Sequence, residues 1–175
     1  MDAGDDANGP AGRTLLLDAI DALIERPDDP DQRRRTTELL RKYWAAILGR
    51  DADALRGLYS HDVLVELPFS ESGRVEEGHF RTFRGIEDVM AFWATAFSFE
   101  GGDAGLYDAE VNMTGDGRVV FVEGFGRVTM ASGHDYRNRY VFRMTVDRDV
   151  VTSFREYYNP IVAARAFGRP IVAAE

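Results

Sequence analysis

Apolar residues recur at a helical period in the first half of the chain and at a period of two in the second half. Residues 14–25 place their apolar side chains along one stripe, which predicts an amphipathic helix. Residues 31–49 and 86–97 have the same spacing and predict two longer helices. Asp51 is the predicted N-cap of a short helix that runs through Tyr59.

Alternating apolar and polar positions predict the strands. The alternation begins over residues 63–67, and residues 70–78 follow as a polar loop or hairpin tip. Turn-forming residues separate the later strands, and Gly101-Gly102 is predicted to be a turn as well. The later strands are predicted near 106–113, 118–131, 136–146 and 150–158. Helices followed by strands predict an α+β fold, in which N-terminal helices cover one face of a curved, mainly antiparallel sheet.

The predicted organisation is one folded domain preceded by a short extension. Residues 1–12 are rich in Gly, Ala, Asp and Asn, a composition typical of a disordered tail. Residues 13–30 hold an extra helix and a linker that ends in a proline-containing, helix-breaking run. Residues 31–175 form the predicted domain, which is long enough to bury a sizeable core.

The composition argues against several classes of partner. Acidic residues outnumber basic ones by 30 to 21, and the net charge is −9, whereas nucleic acids and anionic membranes attract clustered positive charge. The absence of cysteine excludes disulfides, thiolate catalysis and cysteine metal sites. The acidic first residues lack the order of a signal peptide, and no apolar run has the length of a bilayer. We therefore expect a cytoplasmic protein.

The same alternation assigns side chains to the covered face of the sheet. In the strand at 136–146, Asn138, Tyr140 and Phe142 share the apolar side, opposite a row of arginines. In the last strand, Glu156 lies on the covered side between aromatic residues. Two glycines on the covered side of the preceding strand predict a sharp bend or the close approach of a ligand.

Glu156 is the strongest candidate for catalysis. Apolar surroundings penalise a charged carboxylate and raise its pKa, which suits a general acid or base near neutral pH. The alternative is a structural ion pair with an arginine such as Arg127 or Arg84. One observation separates the two hypotheses: the carboxylate either lies open in a cavity or is capped by an arginine.

Neutral hydrogen-bond donors are the candidates for holding an oxyanion beside that carboxylate. They are Tyr43 on the second helix and Tyr140 and Asn138 on the sheet. The alternatives are a core tyrosine and an asparagine that satisfies backbone groups at a bend. The predicted substrate-binding residues are Leu67, Phe69, Trp93, Phe97, Gly124, Phe142 and Tyr158.

Nothing in the sequence predicts a metal or another cofactor. His61, His79 and His134 are predicted to lie in or beside loops and have no metal-ligand spacing. The glycine pairs lack the strand and helix context of a phosphate-binding loop. We therefore expect a cofactor-independent protein.

Several short segments resemble, in order, the SnoaL-like proteins of the nuclear transport factor 2 superfamily. They are Tyr43-Trp44-Ala45-Ala46, Leu58-Tyr59-Ser60-His61-Asp62-Val63, Arg84-Gly85-Ile86, Arg137-Asn138-Arg139-Tyr140-Val141-Phe142 and Arg155-Glu156-Tyr157-Tyr158-Asn159-Pro160. The resemblance covers roughly residues 36–170. It implies a cone formed by a curved sheet, with helices across its mouth and one pocket for an apolar small molecule. It also implies dimers through the outer face of the sheet.

Individual subfamilies resemble the chain unequally at their catalytic positions. The pocket tyrosine of ketosteroid isomerase falls on Tyr43, but its base falls on Leu67, which cannot move a proton. The acid/base residue of limonene epoxide hydrolase falls on Glu156, but its partners fall on Gly124 and Gly126. Steroid isomerase and epoxide hydrolase chemistry are therefore not expected.

The phenazine-biosynthesis A/B proteins are similar at the C-terminal end of the chain. Their matched positions are Arg155-Glu156, Asn159, Arg165-Ala166, Gly168 and Pro170. Their catalytic glutamate falls on Glu156, whereas their helical histidine falls near Phe92, which argues against imine-forming chemistry. The aldol-cyclase aspartate of the polyketide cyclases has no counterpart.

The sequence thus predicts an isomerase or cyclase type of acid–base enzyme for an apolar, polyketide-like biosynthetic intermediate. The alternative is a non-catalytic ligand-binding or assembly domain of the same fold. A homodimer is expected, because the predicted outer face mixes charged and apolar residues suited to self-pairing. These residues are Glu123, Phe125, Arg137, Arg139, Val141 and Arg143.

Overall fold

A computed structural model describes residues 27–71 and 73–171. The predicted tail at 1–12 and the predicted helix at 14–25 lie outside the described residues. The helices are α1 (Pro30–Gly49), α2 (Ala52–Arg56), α3 (Ile86–Ser98) and α4 (Pro160–Ala166). The strands are β1 (Tyr59–Leu67), β2 (Arg81–Arg84), β3 (Glu100–Met113), β4 (Val119–Met130), β5 (Asp135–Asp147) and β6 (Val150–Tyr158).

Local signals define the ends of the long helix α1. The Asp29 carboxylate accepts a hydrogen bond from the Gln32 N–H at 2.8 Å, and Pro30 occupies the first turn. The helix ends at Arg50, which adopts the left-handed conformation with φ of 55°. The prediction of a helix at 31–49 is therefore confirmed.

The short helix α2 ends earlier than predicted. It stops at Arg56, and Tyr59 is the first residue of β1, where it pairs with Val151 of β6. In this strand position the Tyr59 ring is buried in the core. The prediction that His61 lies in or beside a loop was also wrong, since it is an exposed residue of β1.

Six strands form one sheet in the order β2-β1-β6-β5-β4-β3. Every neighbouring pair is antiparallel except β1 and β6, which run parallel in the interior of the sheet. The expected antiparallel-rich sheet is confirmed. The parallel pair arises because β6 returns from the far side of the meander to lie beside β1.

Strand β3 begins six residues before the predicted start. Gly101-Gly102, predicted as a turn, lies within β3, where Glu100 pairs with Met130. A Cβ at Gly101 would lie 2.7 Å from the Ala131 Cα, so the glycine permits two backbones to approach closely. The two glycines therefore mark a close contact between strands and not the predicted turn.

The core lies between the inner face of the sheet and the helices α1, α3 and α4. Phe154 and Met144 of the sheet and Tyr43 of α1 are fully buried there. Helix α4, which the sequence analysis did not predict, starts at the Asn159 N-cap and places Ala163 in the core. Among the described residues, no helix is long and apolar enough to cross a membrane.

Candidate functional site

A cavity of about 460 Å³ lies between the inner face of the sheet and the helices. Its wall is mostly apolar and aromatic, as expected for a small-molecule site. The wall includes Trp93 of α3, Arg81 of β2, Tyr136, Tyr140 and Phe142 of β5, and Glu156 of β6.

Six residues predicted for the site do line this cavity. They are Leu67, Trp93, Tyr140, Phe142, Glu156 and Tyr158. The strand residues reach it because alternation places their side chains on the inner face, where register sets Phe142 opposite Glu156 and Tyr140 opposite Tyr158. Trp93 approaches from α3 and covers the cavity from the helical side.

Three predicted substrate-binding residues lie elsewhere. Phe69 is 48% exposed and packs on Tyr157 at the outer side of the sheet, because the chain leaves β1 after Leu67 and the alternation ends there. Phe97 stacks on the Trp93 ring at 5.6 Å and supports it without lining the cavity.

Gly124 is the third residue, and it is covered by a side chain of the neighbouring strand. A Cβ at Gly124 would lie 2.7 Å from the Leu106 Cγ. Leu106 therefore occupies the space over the glycine, and Leu106 itself lines the cavity. The glycine makes room for a core side chain and not for the ligand.

Tyr43 does not reach the cavity, contrary to its predicted role as an oxyanion donor. Its hydroxyl lies 2.6 Å from the Tyr59 hydroxyl, and the Trp93 indole N–H donates to the Tyr59 oxygen at 2.9 Å. Burial, followed by the proximity of Tyr59, raises the pKa of Tyr43 well above its usual value. This triad holds α1 and α3 to β1, and it fixes the orientation of the Trp93 ring.

Asn138 is also committed to the fold. Its Nδ2 donates to the Asn159 carbonyl at 3.0 Å, and its Oδ1 accepts from the Asn159 N–H at 3.1 Å. This two-point contact joins β5 to the start of α4. These contacts match the alternative considered for Asn138, in which its side chain satisfies backbone groups at a bend.

Glu156 lines the cavity, and no cation among the described residues caps it. The structure records no hydrogen bond or ion pair between its carboxylate and another described residue. Arg127 instead pairs with Asp135 at 2.8 Å, and Arg84 pairs with Glu77 at 3.1 Å. Neither of the two arginines named for the structural alternative therefore pairs with Glu156.

The electrostatic setting of Glu156 favours the neutral carboxyl group. Burial raises the pKa of Glu156 from 4.5 to about 7, and the positive charge of Arg81 opposes this rise. Arg81 also lines the cavity, and its guanidinium lies 5.5 Å from the centre of the Phe92 ring. Glu156 is therefore divided between its acid and base forms near neutral pH, so it can both give and take a proton.

A second glutamate shows how unusual this arrangement is. Glu66 is buried one strand away on the opposite face of the sheet, where its Oε2 lies 2.6 Å from the Arg155 Nε. The Arg155 pKa is raised by this contact. Glu66 thus forms an ion pair on the outer face of the sheet. Glu156, on the neighbouring strand, faces inward and forms no ion pair with a described residue.

Several polar residues of the cavity wall were not predicted from the sequence, and Tyr136 is one of them. Tyr136 has the same parity in β5 as Asn138 and Tyr140, so strand alternation alone would have placed it on the inner face. Its hydroxyl accepts hydrogen bonds from the Tyr140 hydroxyl at 3.0 Å and from the Asn138 Nδ2 at 2.9 Å. Arg81 was missed as well, since it lies in a short strand within a polar region.

Comparison with known proteins establishes the family. Residues 40–154 match the sequence model of the SnoaL-like domain. The chain belongs to this family. The resemblance described from its short motifs is therefore confirmed, as is the cone-shaped α+β fold.

Solved SnoaL-like relatives share the fold at low sequence identity. A candidate isomerase from Bacillus subtilis is 20% identical with a TM-score of 0.65, covering 81% of this chain and 98% of that one. The phenazine biosynthesis-related protein PhzB2 from Pseudomonas aeruginosa is 20% identical with a TM-score of 0.63, covering 89% and 96%. A candidate polyketide cyclase from Xanthomonas campestris is 21% identical with a TM-score of 0.61, covering 74% and 93%. At such identities the likeness establishes the fold and leaves the reaction to the site itself.

Proposed function

We propose that this SnoaL-like protein is a cofactor-independent isomerase or cyclase for an apolar, polyketide-like biosynthetic intermediate. One observation carries the proposal: the unpaired Glu156 carboxyl faces an apolar cavity of about 460 Å³ with a pKa of about 7. A group with this pKa exchanges protons efficiently near neutral pH. Candidate isomerases and cyclases among proteins of this fold support the same class of chemistry.

The proposed step is a proton transfer from carbon to Glu156. The carboxylate removes a proton from a carbon next to a ligand carbonyl, which gives a neutral carboxyl group and an enolate. In the isomerisation of a β,γ-unsaturated ketone, the enolate extends over the C=C bond, and the same proton returns to the γ carbon to give the α,β-unsaturated ketone. In a cyclisation, the enolate carbon forms a bond to a second carbonyl carbon of the same molecule, and Glu156 returns the proton to the new alkoxide.

Hydrogen–deuterium exchange tests this step without knowledge of the natural substrate. Wild-type protein is incubated in D₂O with apolar ketones such as an alkyl naphthyl ketone, and NMR follows the loss of the proton next to the carbonyl. We expect catalysed exchange that Glu156→Gln slows by ~10²–10⁴-fold, the usual contribution of a general base. Glu66→Gln is the matched control, because it alters a buried glutamate outside the cavity.

The outcomes separate the enzyme from its alternative. Equal exchange by wild type and Glu156→Gln would contradict the role of this residue. Ketones that bind the wild type but never exchange would favour a non-catalytic ligand-binding domain, and the commitment of Tyr43 and Asn138 to structural contacts gives that alternative some support.

The protein is also proposed to act as a homodimer that pairs through the outer face of the sheet. Phe121 and Val141 are exposed there at 41% and 37%, beside charged residues such as Arg139 and Glu123. Alternating opposite charges around apolar patches suit a two-fold interface, in which each patch meets its own copy.

A further inference from the structure

The hydroxyl proton of Tyr136 donates no hydrogen bond to any described residue. A tyrosine hydroxyl offers two lone pairs and one proton. Both lone pairs of Tyr136 are occupied, by the Tyr140 hydroxyl at 3.0 Å and the Asn138 Nδ2 at 2.9 Å. No described residue accepts the Tyr136 proton, although the residue is only 7% exposed and lines the cavity.

The direction of one of these bonds is fixed by the backbone. The Asn138 amide is oriented by its two contacts with Asn159, in which Nδ2 donates and Oδ1 accepts. An amide nitrogen only donates, so the Tyr136 oxygen must be the acceptor of the Asn138 bond. Asn138 therefore acts as a positioning residue that holds the Tyr136 oxygen from behind.

The second bond depends on how the Tyr140 ring is seated. The ring packs against Gly126, where any Cβ would overlap it, and it stacks on Phe142 at 5.1 Å with an angle of 9° between the planes. Because the ring is clamped in this way, its hydroxyl meets the Tyr136 oxygen. Phe167 packs against the Tyr136 ring at 5.4 Å and restricts its movement.

A hydroxyl that accepts two hydrogen bonds becomes a stronger donor through its own proton. A buried donor without a partner is also unfavourable, so a ligand atom that accepts the proton gains from both effects. The Glu156 carboxyl faces the same cavity and interacts electrostatically with Tyr136. A ligand whose oxygen binds at Tyr136 would therefore lie in the cavity that Glu156 also lines.

We propose that the Tyr136 hydroxyl is the hydrogen-bond donor for the ligand, and that the pocket selects neutral apolar molecules that carry a ketone-type oxygen. This inference rests on the proposed function, since it supplies the oxygen contact for the carbonyl compound on which Glu156 acts. It replaces Tyr43 and Asn138 in the role predicted from the sequence and leaves Tyr140 as the group that supports the donor.

Binding of two matched fluorescent probes tests the proposal. The first is an acyl-dimethylaminonaphthalene dye, a ketone whose emission shifts to longer wavelength when its carbonyl accepts a hydrogen bond. The second is the same naphthalene with an alkyl group in place of the acyl group. For Tyr136→Phe we expect a roughly threefold to tenfold loss of ketone affinity, the size of one neutral hydrogen bond. The bound emission should shift to shorter wavelength, and the alkyl probe should bind as before.

Two further variants complete the experiment. Tyr107→Phe removes the same atom from an exposed tyrosine outside the cavity and should change neither probe. Tyr140→Phe leaves the Tyr136 proton in place, so its effect on ketone binding should be smaller than that of Tyr136→Phe. A larger effect of Tyr140→Phe would overturn the assignment, because Tyr140 would then be the donor to the ligand.

The remaining outcomes are equally decisive. Unchanged ketone affinity and emission in Tyr136→Phe would refute the proposal, while unchanged alkyl-probe binding shows that the variant retains its cavity. In the wild type, emission of the bound ketone typical of an aprotic environment would also refute it, without any variant. Both readouts measure binding alone. A negative exchange result with Glu156→Gln would therefore not refute the role of Tyr136, and a negative probe result with Tyr136→Phe would not refute proton transfer by Glu156.

Discussion

Replacement of Glu156 by glutamine should change the pH dependence of folding stability, and no ligand is needed to observe it. The pKa of Glu156 rises from 4.5 to about 7 because the surrounding cavity wall penalises the charged carboxylate, although the residue is only half-buried. One pKa unit corresponds to about 1.4 kcal/mol, so the charged carboxylate lowers the free energy of unfolding by roughly 3 kcal/mol. This figure is an upper value, because water in the cavity can solvate part of the charge.

The direction in which the free energy of unfolding changes with pH follows from the number of protons bound in the folded and unfolded states. Between pH 4.5 and about pH 7 the folded protein keeps the Glu156 proton that the unfolded chain has lost. Stability is therefore greatest below the unfolded pKa, and it falls as the pH rises through the folded pKa. Above about pH 7 the whole penalty is present, since the carboxylate is then charged in both states.

Urea denaturation of wild type and Glu156→Gln, from about pH 5 to about pH 8, measures this effect. Glutamine cannot ionise, so the variant should lack the Glu156 component of the pH dependence. It should approach the stability of wild type at the acid end and exceed it by up to about 3 kcal/mol at the alkaline end.

Glu66→Gln provides the contrast, because it weakens the 2.6 Å ion pair with Arg155. We expect this variant to be less stable than wild type by roughly 1–2 kcal/mol near neutral pH. The reasoning about Glu156 is refuted if Glu156→Gln is the less stable protein at the alkaline end. A difference from wild type that does not vary with pH would refute it as well.

Three further outcomes are expected. Gly126→Ala should lower the free energy of unfolding by roughly 1–3 kcal/mol in urea denaturation, because the new methyl group displaces the Tyr140 ring; an unchanged midpoint would show that the ring moves freely. Tyr43→Phe should reduce stability by about 1 kcal/mol through loss of the Tyr59 contact and leave probe affinity unchanged; weaker probe binding would return Tyr43 to the site. Light scattering at micromolar concentration should give twice the chain mass of 19.6 kDa, and a monomer mass would contradict the proposed dimer.

Element types were predictable because they depend on local patterns. The helix at 31–49 and the strands at 118–131 and 136–146 appear within a few residues of their predicted bounds, since apolar periodicity reflects which face each element buries. Boundaries that depend on distant partners were less predictable. The early start of β3, for example, follows from the contact of Gly101 with Ala131, which no local pattern reveals.

The candidate site divides in the same way. Alternation in one strand placed Glu156, Phe142 and Tyr140 on the inner face, because side-chain direction in a strand is a local property. Alternation cannot tell which inner residues meet the cavity and which meet another element. Phe69 and Gly124 failed for this reason, since the end of β1 and the Leu106 side chain decide their surroundings.

By itself, the sequence determined the fold class, the family and the inward direction of Glu156. These follow from periodicity, turn residues and short motifs, which act over a few neighbouring residues. Only the tertiary structure decided that no arginine among the described residues caps Glu156. It also decided that, of the hydrogen-bonded hydroxyls of Tyr140 and Tyr136, the Tyr136 hydroxyl has the proton that no described residue accepts. Pairing of charges and hydrogen bonds depends on ångström distances between groups far apart in the chain, and those distances exist only once the sheet has curled around its cavity.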